Sequence, residues 1–437
     1  MFAYHFRLAW ISLKKTPVLS FLVISAIGLG IGVCISILTV YSLMVQDPAP
    51  GISGQLYTYK LHNQDELAEG ATSNDSMEYV GYRDAINLLK SDIPVQQSVH
   101  YQSAAVFYPE ATHQTPFRDE VRLANAGFFT THRVPFLFGG HWSESEEVSG
   151  LYQVVLTQQF NEEHFEGGNS VGKNLKMGPH TYEVVGVMDD FQPAPKYMEV
   201  DGGAFGEISG VIIPFSLTRE LGMRKTGGST MCSGDPDGDG WLPFLEADCQ
   251  WIHHWVQLEN EKSVQDYKAH LDNYAESQRQ YGRFLGPYNN EIHSVEAWLK
   301  DQNVVNKDYE ILLGIAFMFL FVCLLNCIGL LLAKFLGKAG EMSLRRALGG
   351  SRRIIFNQHL VEVSLLGFLG GCVGLGVALL GLVGIRALYR NYEQLTHLNL
   401  ELVALAFVLA VGATLLAGLY PTWRVCRLPV SRHLKEQ

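Results

Sequence analysis

The chain has 437 residues, 47% hydrophobic and 18% charged, with 44 acidic against 33 basic side chains and a net charge of −11. That balance does not favour nucleic acid as a partner, and the apolar content is high for a water-soluble protein. Four uncharged stretches hold the excess, Pro17–Val45, Ile311–Ala333, Val363–Ile385 and Leu402–Tyr420, each long enough to span a bilayer as a helix of about 20 residues.

The chain opens with MFAYHFRLAWISLKK, in which Phe2, Phe6, Trp10 and Leu13 recur at helical spacing among Arg7, Lys14 and Lys15. This predicts a short helix over 1–16 lying in the membrane interface. The apolar run that follows, span one over 17–46, far exceeds the roughly 7–15 residues of a signal peptide's apolar region, so it is expected to be a retained anchor.

Basic residues give the orientation. Arg7, Lys14 and Lys15 precede span one, and Lys334, Lys338, Arg345, Arg346, Arg352 and Arg353 lie between spans two and three. Arg424, Arg427, Arg432 and Lys435 follow span four. All three groups are expected on the cytoplasmic side. Residues 47–308 then lie outside the membrane, and they hold 38 acidic and 18 basic side chains. A solvated acidic surface is the expected reading of that excess.

Within 47–308 the pattern alternates between strand and helix. GQLYTYKL reads as a strand and SMEYVGYRDAINLLKSD as a helix; QQSVHYQSAAVFY and FRDEVRLANA read as strands. YQVVLTQQFNEEHF is a strand running into a helix, NLKMGPHTYEVVGVMDDF a hairpin turning near Gly178, and GVIIPF a buried strand. HHWVQLE is a strand and SVQDYKAHLDNYAESQRQY an amphipathic helix. A mixed α/β domain follows. SVEAWLKDQNVVNKDYEILL is expected to run unbroken into span two as a stalk.

Most of the chemical motifs are near misses. Gly167–Asn174 spells a phosphate-binding loop, but Asn174 stands where Ser or Thr should hold magnesium, so the stretch is read as a turn. His253 and His254 are neighbours on a strand and point to opposite faces. No nucleophile or zinc motif was found, so no catalytic residue and no metal site is assigned. Cys232 and Cys249 are the only cysteines in 47–308, and a disulfide is expected between them. Between them Asp235, Asp237, Asp239, Gly240 and Glu246 match a calcium-loop spacing. Pro243 in the ninth place and a poor entering helix argue against a calcium sensor, leaving at most a structural ion at Asp235–Glu246.

Two patterns concern the membrane part. Gly28 and Gly32, Gly367 and Gly371, and Gly370 and Gly374 are spaced four apart, as in close helix pairs. Glu362 is placed at the cytoplasmic interface, and Asn326 in span two is expected to bond a neighbouring helix. The basic segment KFLGKAGEMSLRRALGGSRRIIFNQHLVE predicts a short helix starting near Glu341, a break at Gly349 and Gly350, and a second helix capped by Ser351. Glu341, Met342, Leu344, Arg345, Arg346, Leu348, Gly349, Arg352 and Arg353 make up a segment that suits docking into a partner's groove.

EMSLRRALGGSRRII and GLYPTWRVCRLPVSRHL resemble the cytoplasmic loop and C-terminal signature of MacB/FtsX-like ABC permeases. AWISLKKTPVLSFLVISAIGLGIGV resembles their N-terminal segment. ANAGFFTTHRVPFLFGGHW, the 154–191 stretch and VIIPF resemble their outer core domain. The resemblance implies an α-helical membrane protein with four transmembrane helices and a large mixed α/β extracytoplasmic domain, a porter-like part with an inserted second lobe.

The implied order is an interfacial helix (1–16), span one (17–46) and a periplasmic domain (47–308). In that domain about 50–130 and 250–307 would be porter-like and 131–249 the second lobe. Span two (309–336), a coupling helix (337–353), span three (354–385), a short periplasmic loop (386–401), span four (402–420) and a cytoplasmic tail (421–437) follow. The sequence shows no Walker-type motif beyond the near miss, a departure from MacB itself, in which the ATPase is fused to the permease; a permease that is not itself an enzyme is therefore expected. ATP and magnesium would sit on a partner ABC ATPase subunit engaged by the coupling helix. A second permease, identical or homologous, a periplasmic adaptor and an outer-membrane channel would complete an efflux assembly for a peptide or drug-like substrate in the inner membrane. Regulation of a cell-wall enzyme and lipoprotein release are the alternatives.

Overall fold

The four uncharged stretches are helices in the computed structural model: Pro17–Val45, Lys307–Leu336, Arg352–Leu388 and Leu400–Cys426. All four are long and apolar enough to cross a membrane. The structure describes residues 2–61, 79–108, 115–200, 203–227, 230–233, 236–285, 290–304, 307–349, 351–388 and 400–427. Two compact units emerge, one from Asp47–Val304 and the other from Met1–Gln46 with Val305–Gln437.

In the helical unit the N-terminal helix, expected at the membrane interface and called the interfacial helix below, forms over Phe2–Lys15. The fourth apolar helix was expected to stop at Pro421 but continues through it to Cys426. Proline removes one backbone donor, and within an apolar bundle neighbouring groups take up the freed carbonyl. The expected stalk is interrupted. One helix covers Val295–Asp301 and is capped at Gln302, Asn303 adopts a positive φ of 51°, and the next helix begins at Lys307. A left-handed residue cannot continue a right-handed helix, so the two are separate elements.

Among the described residues the Asp47–Val304 unit has twelve strands, numbered in chain order: β1 Leu56–Lys60, β2 Gln96–Tyr108, β3 Phe117–Ala124, β4 Phe136–Gly139, β5 Gln153–Leu156, β6 Asn174–Met177, β7 His180–Met188, β8 Val211–Pro214, β9 Met231–Cys232, β10 Cys249–Gln250, β11 His253–Gln257 and β12 Glu291–Ser294. Ten of them form one sheet in the order β12-β1-β11-β2-β3-β8-β5-β7-β4, with β6 bridging β2 and β7. The strands of the two expected lobes lie in two blocks of this order. The blocks meet where β3 pairs with β8 in parallel, Val121 opposite Val211, and again where β6 pairs with the end of β2, Met177 opposite Phe107, so one sheet runs through both.

Strand periodicity puts alternate residues on opposite faces. Val154, Leu156, Val211 and Ile213 enter one core, while Val155 and Ile212 enter the other. The first core is closed by the amphipathic helix Glu261–Gln280 through Tyr267, Leu271 and Ala275. The second is closed by Phe128, Phe129, Trp142, Tyr197 and Trp298. Burial on both faces explains why VIIP and VVL read as unbroken apolar runs. The phosphate-loop near miss is a turn between the helix Gln158–Phe165 and β6, with Gly167 and Gly172 at φ 73° and 84°.

The segment between the cysteines is more deeply embedded than its acidity suggested. Cys232 and Cys249 are disulfide-bonded across the β9–β10 pair. Leu245 and Cys249 are buried in the first core, with Trp241 and Phe244 packed against it. Beside the bridge, the Arg283 guanidinium spans Asp84 at 3.0 Å and Asp248 at 2.6 Å. Tyr274 donates to Asp84 at 2.6 Å. Burial raises the Asp84 carboxyl above its ordinary range despite the arginine. Asp235 lies outside the described residues, and Glu246 stands 3.9 Å from Arg219.

Candidate functional site: a basic helical turn and the bundle behind it

The basic segment folds as expected into a short helix, Ala339–Ala347, a turn, and the third apolar helix from Arg352. Gly349 takes φ 96°, which an L side chain rarely adopts, and ends the short helix. Gly350 lies outside the described residues. The Ser351 hydroxyl accepts the Ile354 backbone N–H at 3.3 Å and caps the next helix.

The residues expected to dock divide between two faces. Leu344 is 53% exposed and Leu348 81% exposed. Met342 turns inward, where its Sδ meets Nε2 of His359 at 3.2 Å. Arg345 bonds Glu341 one turn back at 2.8 Å and Gln358 of the third apolar helix at 3.0 Å. Lys15 of the interfacial helix stands 3.9 Å from Glu341. An apolar stretch of Leu344 and Leu348, rimmed by charge, is what the helix presents to solvent.

Behind the turn is a cluster that composition did not reveal. Glu362 is almost fully buried, and its Oε1 is 2.9 Å from Lys334 Nζ and 3.5 Å from Lys338 Nζ. Ser12 of the interfacial helix donates its hydroxyl to the same oxygen, and Lys338 donates to Ser12. His359 Nδ1 stands 3.6 Å from Oε2. Lys334, wholly buried, also donates to Ser20 of the first apolar helix at 3.0 Å. Buried charge is costly unless paired and hydrogen-bonded, and here one carboxylate serves two ammonium groups. Counted by charge alone, Lys334 was one of six basic residues; only the fold shows that it points inward.

The glycine pairs meet one another. A Cβ on Gly28 would lie 2.6 Å from Val373, and one on Gly32 would lie 2.6 Å from Val377 and 2.8 Å from the Gly374 carbonyl. Gly370 faces Ile27, and Gly374 faces the Gly28 carbonyl at 3.1 Å. Gly367 approaches Thr414 and Ala410, and Gly371 approaches Phe407. The third apolar helix thus contacts the first along one glycine row and the fourth along another, with backbones in close approach. Asn326 does not bury itself against a neighbour; its side is exposed on the second apolar helix.

In the α/β unit the informative feature is a strap between β7 and β8. Trp298 donates its indole N–H to Tyr197 O at 3.0 Å, Trp255 donates to Met198 O at 3.1 Å, and His100 Nε2 stands 3.2 Å from that same Met198 oxygen. The Tyr197 hydroxyl meets His132 Nδ1 at 2.8 Å. Beneath it Arg122 and Glu199 form a fully buried ion pair at 2.6 Å. Burial, with Arg122 nearby, holds His132 down to about 3 and His100 well below the usual imidazole range. His253 and His254 are both buried. His254 bonds the Tyr59 hydroxyl at 2.6 Å, while His253 stacks on His100 at 5.3 Å. They lie on opposite sheet faces, as the strand reading required.

A helical bundle of membrane-spanning length, carrying a large mixed α/β domain between its first and second spans and a basic turn between its second and third, defines the class: a polytopic membrane protein with an extramembrane domain. Residues 20–274 match the family model of the MacB-like periplasmic core domain, and residues 313–430 that of the FtsX-like permease C-terminal domain. The chain belongs to the MacB/FtsX-like ABC permease family.

Among its relatives is the pyoverdine export ATP-binding/permease protein PvdT of Pseudomonas entomophila, 25% identical over 70% of this chain and 41% of the relative. The macrolide export ATP-binding/permease protein MacB of Marinobacter nauticus is 21% identical over 71% of this chain and 42% of its own length. The chain spans about two fifths of the length of these relatives. Among solved structures, the periplasmic region of MacB from Actinobacillus actinomycetemcomitans covers 60% of this chain and 98% of its own, at 13% identity and a TM-score of 0.38.

Proposed function

We propose that this chain is the permease of an ABC-type exporter in the bacterial inner membrane, with the α/β domain in the periplasm. ATP would be hydrolysed by a cytoplasmic ATPase subunit that grips the helix Ala339–Ala347. The motion would pass through the apolar helices to the periplasmic domain, in a dimer with an identical or homologous permease. The cargo would be a small peptide or drug-like molecule, moved onward with an adaptor and an outer-membrane channel. Relatives named for pyoverdine and macrolide export support that class of cargo.

The observation that carries this reading is the exposure of Leu344 and Leu348 on a charged helix whose other side is anchored to the bundle. An amphipathic helix anchored on one side and apolar on the other suits insertion into a groove. Replacing Arg345 and Arg346 with Glu, or Leu348 with Asp, should abolish co-purification of an ABC ATPase from native membranes. Leu348→Asp is the cleaner variant, because Arg345 also bonds within the chain. Undiminished ATPase recovery with all of these variants would overturn the proposed role.

A further inference from the structure

Glu362 is the one carboxylate in a buried cluster that touches four separate segments of the helical unit. Through Ser12 it reaches the interfacial helix, and through Lys334 the second apolar helix. Through Lys338 it reaches the residue just before the short basic helix, and through His359, which abuts Met342, that helix itself. Separations of 350 residues along the chain are closed within single hydrogen bonds. Three further links run alongside: Lys15 to Glu341, Arg345 to Gln358, and Phe335 packed on His359 at 4.4 Å.

Charge makes this arrangement asymmetric. One anion is shared by Lys334 and Lys338, so losing the anion leaves two cations facing each other, one of them wholly buried. Losing one cation leaves a balanced pair. Removing the partner of a buried charge is far more damaging than replacing both partners together.

From this we infer that Glu362 is the positioning residue of the short basic helix: its carboxylate clamps that helix to the interfacial helix Phe2–Lys15, so that the two move as one block. The inference rests on the coupling reading above for its purpose, but not for its geometry. It gives the interfacial helix a mechanical part: a push on Leu344 and Leu348 would be shared with the membrane-surface helix through Ser12, rather than reaching the third apolar helix alone.

The test uses the full chain in detergent, without any ATPase. The five free cysteines, Cys34, Cys323, Cys327, Cys372 and Cys426, are replaced. Spin labels are placed at Trp10 and Leu348, both exposed, with unlabelled chain in excess so that only distances within one chain are read. A second pair at Leu380 and Leu416, on the exposed faces of the third and fourth apolar helices, reports bundle packing.

In Glu362→Gln the Trp10–Leu348 distance distribution should broaden about twofold, as a locally released segment does, while the Leu380–Leu416 distribution stays as in the parent. Glu362→Asp should recover most of the narrowing, and Lys334→Met should leave it intact. An unchanged Trp10–Leu348 distribution in Glu362→Gln would overturn the proposal. Equal broadening of both pairs would also overturn it, because the carboxylate would then be holding the bundle as a whole. Neither outcome bears on ATPase recovery with Leu348→Asp, so the two readings fail separately.

Discussion

Trp298 donates its indole N–H to the backbone carbonyl of Tyr197, tying the last helix of the α/β unit to the strap that crosses its sheet. Both residues are buried, and Trp255 packs beside both rings at 5.2 and 6.2 Å. Trp298→Phe keeps much of the apolar contact and removes the donor. The stranded carbonyl should cost about 1–3 kcal/mol, read as a fall of several degrees in the melting of the α/β unit followed by tryptophan fluorescence. No change in melting would mean that the Trp298 hydrogen bond does not hold the strap, leaving the Trp255, His132 and Arg122 contacts to do so.

The glycine rows give a directional prediction for the bundle. Gly32→Leu would drive a side chain into Val377 and the Gly374 carbonyl. Overpacking of this kind costs about 1–3 kcal/mol or more, so the yield of monodisperse protein in detergent should fall. Gly376→Ala, where a Cβ meets nothing within 4 Å, should behave as the parent. Equal tolerance of both would show that the helices are not in close contact there.

The bridge between Cys232 and Cys249 closes a segment whose ends are 17 residues apart. In the chain-entropy description such a bridge stabilises by about 3 kcal/mol, and it sits at the edge of a core into which Leu245 and Cys249 are buried. The double serine variant, or mild reductant, should therefore lower the melting temperature of the α/β unit. Running the same melts with calcium and with a chelator tests the acidic loop: a calcium-dependent rise would show a bound ion, and coincident curves would remove the idea.

Glu147 supplies a pH prediction. Its carboxylate accepts the Ala126 backbone N–H at 2.7 Å, yet burial pushes the carboxyl up to about 7. A raised folded value means that stability is fully present below the ordinary glutamate value, about 4.5, and is lost as pH rises through about 7. Glu147→Gln should thus match the parent near pH 4 and become the more stable protein by pH 8. A difference that does not change with pH would mean the carboxyl ionises normally in the folded state.

Much of this organisation is legible along the chain. Uncharged runs mark four helices because a bilayer tolerates little else, and VIIP reads as a buried strand because both its faces are apolar. The strand and helix at 153–165 and the hairpin over β6 and β7 follow from local pattern and turn residues. Short elements such as β4 and the helix Glu144–Val148 were missed, since four or five residues carry no measurable period. The unbroken stalk was expected from apolar spacing alone, which carries no information on the left-handed backbone at Asn303.

By itself, then, the sequence determined what depends on local chemistry: which segments are apolar enough to enter a membrane, which two cysteines share a compartment, where glycine permits close approach, and which turn is basic. Tertiary structure decided what depends on residues distant in sequence: that one sheet joins β3 to β8, that Met342 turns inward while Leu348 does not, and that Ser12, Lys334 and Glu362 meet. The reason is physical. A charge on the chain carries no mark of whether it will be solvated or buried. Only the packing of the helices settles that Lys334 finds Glu362 on the next apolar helix, and that Ser12, 350 residues before Glu362, meets the same carboxylate.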